Sequence, residues 1–560
     1  MTLNLKEYKD NLLFLPLGGA GEIGMNFNLY QYKGKWVIID CGAGFADDHL
    51  PGIDMMVADL TFIRQHKAEI VGLILTHAHE DHVGGVQYLW NELECPIYAT
   101  TFTANFLKNR LAEYQFHKKI KIHTVEPGSK IELAPFSIEM VHLTHSAPEM
   151  QALMIRTEAG NVLHTGDWKF DPDPVVGRLS DEALLKKFGE EGVTALVCDS
   201  TNVFNPGVSG SEGDLRKSLV DIIAGCPKMV VVTTFASNLA RIDTLVHAAE
   251  KAGRRVVLTG RSLHRIYEAA QQSGYLLDVK PFVDERDISR YKREELLVIA
   301  TGCQGEPLAA TSKMATNSHN SIKLAPGDTV IFSSKIIPGN DKRIFRLFNI
   351  FVKNKIEVIT ERDHFVHVSG HPSVDELKRM YELVKPKVAI PVHGELVHIH
   401  EHAKLARKWG VKHAIEVENG VVVKIDEREP RVLGKVHSGY LGIDGNYLLP
   451  IDSPVIKMRR RLRESGIIVV TVVFNKNGSL AARPIISTPG CLDREDDAQI
   501  LTIMRDLLVE EIGNSTKGGK KVRIKSDTVD NVVRGIIRRF IKTEIGKTPV
   551  IDVNIEYLSH

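Results

Sequence analysis

The sequence predicts an α/β protein in three parts: two sheets packed face to face under outer helices, a parallel α/β unit inserted into them, and a small C-terminal α/β domain. Three observations lead there. Up to residue 200, strand-length apolar runs mix with amphipathic segments, and strands dominate. From 206 to 365, strands and helices alternate one for one, as a parallel, Rossmann-like sheet requires. Beyond 365 the chain resumes the texture of its first part, apolar strands ending in polar, histidine-bearing turns. The simplest account is a first domain made of 1–205 and 366–450, interrupted by 206–365. A basic connector (451–466, with Lys457-Met-Arg-Arg-Arg-Leu-Arg463) then leads to a last domain, 467–560. A chain of 560 residues is too long for one ordinary core, and about three domains fit it.

The formal net charge is +1, so only a local patch could attract a polyanion. The six cysteines are scattered without a C-x-x-C pair, which fits small core residues in a reducing cytoplasm. The N-terminus lacks the shape of a signal peptide. The longest strongly apolar run, Ile467-Ile-Val-Val-Thr-Val-Val-Phe474, is far short of the roughly 20 residues a bilayer needs. Its β-branched content predicts a buried strand. These features exclude a membrane-spanning role and predict a cytoplasmic protein.

Taken in order, 12–17 reads as a strand and is followed by Gly18-Gly-Ala-Gly-Glu-Ile-Gly24. The glycines match a dinucleotide fingerprint, but that motif needs a helix next, whereas Met25–Tyr32 alternates like a strand. The loop is therefore either a tight turn or the lining of a site. Asp40 ends the strand Trp36-Val-Ile-Ile-Asp40 and is either a turn former or a group that orients a neighbour. Residues 58–67, 83–92 and 102–114 read as helices, and 97–100, 120–125 and 138–143 as strands. Between them lies the densest stretch of the chain, Thr76-His77-Ala78-His79-Glu80-Asp81-His82, which follows the apolar run Val71-Gly-Leu-Ile-Leu75. Further strand ends carry His145, Asp167 and Asp199. Ser211 is placed to cap a helix over 213–224. The inserted unit reads as strands at 229–234, 255–259, 296–300, 329–333 and 356–359, with helices at 238–252, 262–273 and 340–353. His367-Val-Ser-Gly-His371 and Val388-Ala-Ile-Pro-Val-His393 follow. His398, His400 and His402 alternate within a helix and so share no face. The tail reads as a strand (467–474), helices (495–511, 526–543) and a strand (549–557).

Imidazole and carboxylate this crowded at a strand end suit zinc. His77 and His79 can face one way while Asp81 and His82 face the other, which suits two adjacent ions rather than one closed site. Two zinc ions about 3.5–4 Å apart can generate a hydroxide at neutral pH and clamp a phosphodiester. Four ligands cannot complete two ions. Asp167, His145 and His393 are the strand-end candidates, although each by itself would pass for an ordinary turn or loop residue.

His77-x-His79-x-Asp81-His82, with Asp40, His145 and Asp167, resembles the site motifs of the metallo-β-lactamase fold, an αββα sandwich. Asp199, His371 and His393 resemble the extra motifs of its β-CASP branch, whose members cut nucleic acids. The wording of Gly18–Gly24, Gly166-Asp-Trp-Lys-Phe-Asp171, Asp199-Ser-Thr-Asn202, Thr234-Phe-Ala-Ser-Asn238 and His367–His371 is similar to the bacterial ribonuclease J family, over essentially the whole chain. The resemblance implies that His77, His79 and His145 hold one zinc, that Asp81, His82 and His393 hold a second, and that Asp167 bridges them. Asp81, Asp199 and His371 would serve catalysis, with Asp199 orienting His371 to protonate the leaving 3′ oxygen or hold the scissile phosphate. Ser237, Asn238, His367, Val368, Ser369, Gly370 and His371 would grip RNA. The family cuts single-stranded RNA internally and from a 5′-monophosphate end, leaving 5′-phosphate and 3′-hydroxyl products, in rRNA processing and mRNA decay.

The partners so implied are RNA, further copies in a homodimer or homotetramer built through the C-terminal domain, and an RNA-degradation complex; no membrane is implied. Some members bind calcium near segments containing Asp47 and Asp444, and here the first of these segments is altered. Ala240 stands where many relatives have a histidine, which removes one expected RNA contact, and Ala147-Pro148-Glu149 replaces the commoner Ile-Pro-Asp. A lactonase or thioesterase would not need the insertion. A DNA-processing β-CASP nuclease, and a scaffold subunit with little activity of its own, remain the alternatives.

Overall fold

The computed structural model describes residues 3–46, 49–114, 121–337, 339–493, 495, 497–516 and 526–558. The chain divides into two compact units, Met1–Gly44 with Met56–Tyr440, and Phe45–Met55 with Leu441–His560.

The larger unit carries two large sheets whose apolar faces meet. One has eight strands in the order Arg431–Lys435, Val421–Ile425, Leu12–Gly18, Phe27–Tyr32, Lys35–Ile39, Ile70–Ile74, Ile97–Thr100, Ile122–Val125. The other has seven: His413–Ala414, Val388–Val392, Ala195–Asp199, Gly160–His164, Gln151–Thr157, Phe136–His142, Lys130–Leu133. Phe14, Tyr30, Ile39 and Ile74 from the first pack against Ile138, Leu153, Val197 and Ile390 from the second. Burying each such side chain contributes about 1.5–3 kcal/mol, so this shared layer dominates the stability of the sandwich. Strands covered on both faces read as unbroken apolar runs, which is why Leu12–Gly18 and Ala195–Asp199 are buried at every position. On the outer face of the second sheet lie two helices left unassigned by the sequence, Glu182–Glu191 and Val374–Val384. They pack Leu185, Phe188, Leu377 and Met380 onto Leu163 and Leu196.

Strand direction positions the site. Lys35–Ile39 and Ile70–Ile74 are parallel, so Asp40 and the 76–82 loop emerge at one rim. Gly160–His164, Ala195–Asp199 and Val388–Val392 are also parallel, and Asp199 is in register with Val392. Segments from either side of 206–365 thus lie as neighbours in one sheet. The intervening residues form a five-stranded, wholly parallel sheet in the order Arg255–Thr259, Leu296–Ala300, Val230–Thr233, Thr329–Phe332, Glu357–Ile359. Ser211 caps the helix Glu212–Gly225 by accepting from Gly213 N–H.

In the smaller unit, Ile467–Phe474 is central between Ile485–Ser487 and Val550–Tyr557. Ile468, Val470, Val472 and Phe474 pack with Met504, Leu508, Val533 and Ile537 from the helices Ala498–Thr516 and Ser526–Glu544. The alternate residues Ile467, Val469, Thr471 and Val473 stay partly exposed. The run is therefore buried on one face rather than throughout, because only that face is packed by the helices. The basic connector is itself a helix, Pro454–Ser465, with Pro454 in its first turn and Ser453 accepting from Ile456 N–H. Lysines and arginines are good helix formers, so a run of charge did not have to be a coil.

All six cysteines are buried. Among the described residues no helix is long and apolar enough to cross a membrane. Asp444 is engaged by Arg459 through two hydrogen bonds of 3.1 and 2.6 Å, so a cation already faces that carboxylate. Asp47 lies outside the described residues.

Candidate metal centre and its surroundings

The strand Ile70–Ile74 ends in Leu75-Thr76, and the backbone then passes His77 and His79 into the short helix Glu80–Val83. Its anchor is Asp40, fully buried and held at φ 64°, in the left-handed region that aspartate tolerates better than most residues. Thr76 N–H donates to Asp40 at 2.8 Å, Thr76 Oγ1 at 2.9 Å and His82 Nδ1 at 2.7 Å. Of the two sequence readings of Asp40, orientation of a neighbour describes what it does. It holds the His82 ring through Nδ1 and turns Nε2 toward Asp167 and Asn26.

The other imidazoles are held in the same manner. His77 Nδ1 donates to Thr76 Oγ1 at 3.0 Å, and His145 Nδ1 to the Gly370 carbonyl at 2.6 Å. His393, itself at φ 52°, donates through Nδ1 to Asn26 Oδ1 at 3.0 Å and through its backbone N–H to Gly19 O at 2.6 Å. Asn26 N–H also donates to Asp81 O at 2.8 Å. The glycine-rich loop thus lines the site through its backbone: Gly21 and Glu22 bridge to Glu395 and Gly394 just beyond His393.

Two ligand sets result. Donor atoms of His77, His79, His145 and Asp167 lie within 4.8 Å of one another, and so do those of Asp81, His82, Asp167 and His393. Asp167 belongs to both. Its Oδ2 stands 3.1 Å from His82 Nε2 and 3.4 Å from His393 Nε2. The described ion-pair partners of Asp40, Asp81, Asp167 and Asp199 are all histidines.

The residues fit divalent metal on three counts. His77 Nε2 and both carboxylate oxygens of Asp167 are buried without a hydrogen-bond partner, although buried polar atoms are almost always satisfied. His145 Nδ1 is taken by Gly370, so its Nε2 lone pair is turned to the same point as His79 Nδ1, 3.0 Å away. Burial and neighbouring histidines hold His77 well below the usual imidazole range, and burial, aided by His82 and His371, brings His79 to about 4, the neutral form a metal requires. Although burial opposes its charge, Asp167 is held well below the ordinary carboxylate range by His393 and His82.

Beside the cluster, Asp199 Oδ2 accepts from His371 Nδ1 at 2.8 Å, and Asp199 Oδ1 accepts from Thr201 N–H at 2.8 Å. His371 Nδ1 lies 3.9 Å from Asp167 Oδ2, and its ring stacks on His393 with centroids 5.5 Å apart. Burial disfavours the imidazolium, but Asp199 outweighs it and raises His371 to about 9.

The residues expected to touch a polymer are placed less uniformly. Ser237 is half-buried. Asn238 is buried and caps the helix Leu239–Lys251, its Oδ1 accepting from Arg241 N–H at 2.9 Å. Val368 is only 4% exposed, close beside Gly210, so its backbone rather than its side chain is what it can offer. Ser369 Oγ already accepts from Asn202 Nδ2 at 2.7 Å, and Gly370 O is taken by His145. His367 Nδ1 has no partner. Sequence reasoning passed over Asn26, Thr76 and Lys169. Asn26 had no local signal, since Met25-Asn-Phe-Asn-Leu29 alternates in polarity as any strand does. His398, His400 and His402 part company: His402 is buried between Ser200 Oγ and Tyr381 OH, His400 pairs with Glu416, and His398 rests on Phe204.

Comparison with known proteins adds four matches. Residues 22–233 match the metallo-beta-lactamase superfamily, 227–351 the beta-CASP domain of ribonuclease J, 355–418 a Zn-dependent metallo-hydrolase RNA specificity domain, and 454–556 the ribonuclease J C-terminal domain. Ribonuclease J of Sinorhizobium meliloti is 38% identical over 551 residues, covering 98% of this chain and 97% of that one. Ribonuclease J of Thermus thermophilus is 31% identical over 97% of this chain and 95% of its own. Ribonuclease J2 of Bacillus subtilis is 30% identical over 98% of both. A solved protein of unknown function from Enterococcus faecalis V583 shares the fold over 75% of this chain and all of its own, at a TM-score of 0.51 and 18% identity.

Proposed function

Since the chain belongs to the ribonuclease J family of metallo-β-lactamase and β-CASP nucleases, we propose that it is a two-zinc ribonuclease acting on single-stranded RNA. It removes nucleotides from a 5′-monophosphate end, also cuts internally, and leaves 5′-phosphate and 3′-hydroxyl products, in cytoplasmic RNA maturation and decay. The observation that carries this reading is the pair of ligand sets sharing Asp167, with the Asp199–His371 pair at their edge.

His77, His79 and His145 would hold one ion and Asp81, His82 and His393 the other, with Asp167 common to both. When bound, the ions would supply a nucleophile from water at neutral pH and neutralise charge on the phosphate. The remaining work falls to the chain. His371, charged at neutral pH and held through Nδ1 by Asp199, gives the proton on its other nitrogen to the leaving 3′ oxygen. Asp199 stabilises the imidazolium until that transfer. For the 5′ phosphate we propose the Ser237 hydroxyl, the N-terminus of Leu239–Lys251 and the unpartnered His367 Nδ1, near the charges of Arg241, Lys169 and Lys335.

The test is one RNA offered with a 5′ monophosphate and with a 5′ triphosphate, beside matched DNA. The monophosphate form should shorten from its 5′ end to mononucleotides. The triphosphate form should be cut only internally, and the DNA should survive. Equal 5′ trimming of both RNAs would remove the end-recognition reading, and DNA cleavage at the RNA rate would remove the RNA reading.

We also propose that copies associate through the smaller unit, where Ile485 and Tyr557 are exposed, as a homodimer or homotetramer. Sedimentation of the full-length chain should give a mass at least twice 62.4 kDa, and a monomer would refute it.

A further inference from the structure

The loop that carries His371 is fastened at both ends to buried groups. At its near end, the Val366 carbonyl accepts from Ser333 Oγ at 2.7 Å and from Arg241 Nη1 at 3.4 Å. Arg241 is 0% exposed. Its guanidinium also donates to the Ser333 carbonyl at 2.9 Å and to both Glu212 oxygens, at 3.0 and 3.3 Å. Glu212 in turn donates its backbone N–H to Asp171 at 2.9 Å, and Asp171 pairs with the buried Lys169 at 2.8 Å. At its far end, the Gly370 carbonyl holds His145, and a Cβ at 370 would stand 2.8 Å from that ring.

We propose that Arg241 is a positioning residue for the reaction. With Glu212 and Ser333 it sets the height of the 366–371 loop, and through it the placement of His371. Arg241 cannot touch RNA, because its surface is wholly covered. Its planar fork reaches a carboxylate and two carbonyls at once, a geometry that lysine lacks. The chain of contacts runs from the segment after Gly160–His164 (Lys169, Asp171) through the start of the insertion (Glu212) and the end of its parallel sheet (Ser333) to the returning loop (Val366). The two halves of the larger unit are thus registered at the loop. This inference rests on the reading of His371 as the acid.

Removing Arg241 would strand Glu212 as an unpaired buried charge, so milder changes serve as the test. Ser333→Ala deletes only the hydroxyl that accepts from Arg241 Nη1 and donates to the Val366 carbonyl, and Glu212→Gln keeps the shape of the pair. Both are assayed for kcat and KM on 5′-monophosphorylated RNA, with bound zinc measured, alone and combined with His371→Ala. Ser333→Ala should lower kcat about 10- to 100-fold with KM and zinc content unchanged, the cost of misplacing a reacting group. The Ser333→Ala/His371→Ala protein should be no slower than His371→Ala alone, since both changes act on one group. Unchanged kcat in both Ser333→Ala and Glu212→Gln, or effects that multiply in full with His371→Ala, would overturn the proposal. A wild-type kcat for His371→Ala would overturn the acid reading itself, and this inference with it.

Discussion

His77→Ala is expected to leave the protein folded, without the zinc of its own ligand set, and without measurable RNA cleavage. His77 is wholly buried, its Nδ1 is spent on Thr76 Oγ1, and its Nε2 has no partner within the protein. A nitrogen in that state is a cost to the metal-free fold and a gain only when a cation is present. The two melting experiments therefore differ in size. Zinc at one hundred times its Kd should stabilise the wild type by about 2.7 kcal/mol for each ion bound, and His77→Ala only through the ligand set that lacks His77. Removing the metal from the wild type with a chelator should reproduce the inactivity of the variant. Metal analysis, a melting curve with and without zinc, and an RNA gel check all of this. Cleavage retained by metal-stripped protein would sink the metal mechanism.

How much of this was legible in the chain depended on distance. The 77–82 cluster announced itself because its ligands are contiguous, and its alternation around the strand end already implied two ions rather than one. Asp167 and His145 sat at strand ends that only sheet pairing could bring to the same rim. His393 needed more, since it arrives after the parallel sheet through the pairing of Ala195–Asp199 with Val388–Val392. Asn26 and Thr76 carried no local signature. They matter because of which atoms lie beside them in three dimensions, and hydrogen-bond partners across many residues do not show as periodicity. Asn238 carries the opposite ambiguity: a polar side chain before a helix serves as a cap as readily as an RNA contact, and here it caps Leu239–Lys251. In the smaller unit the β-branched run 467–474 was correctly a strand, but its one-sided burial depends on how many faces the helices cover, which no single strand encodes.

The second large effect is expected at His371, and there the metal should stay. His371→Ala removes a ring that touches the ligand sets only at their edge, 3.9 Å from Asp167, while the seven proposed ligands remain. Zinc content should equal that of the wild type, and RNA turnover should fall roughly 10²- to 10⁴-fold, the usual worth of a positioned acid. Asp199→Asn should slow the reaction in the same direction, because the amide cannot supply the charge that favours the imidazolium, and combining it with His371→Ala should add nothing further. A slow variant alone does not distinguish an acid from a group that merely holds the phosphate. The leaving group does. A nucleotide p-nitrophenyl phosphodiester expels a phenolate that needs no proton, so His371→Ala should approach wild-type kcat on it while remaining slow on RNA. If the variant is equally impaired on both substrates, His371 binds the phosphate instead, and the proton for the 3′ oxygen must come from elsewhere.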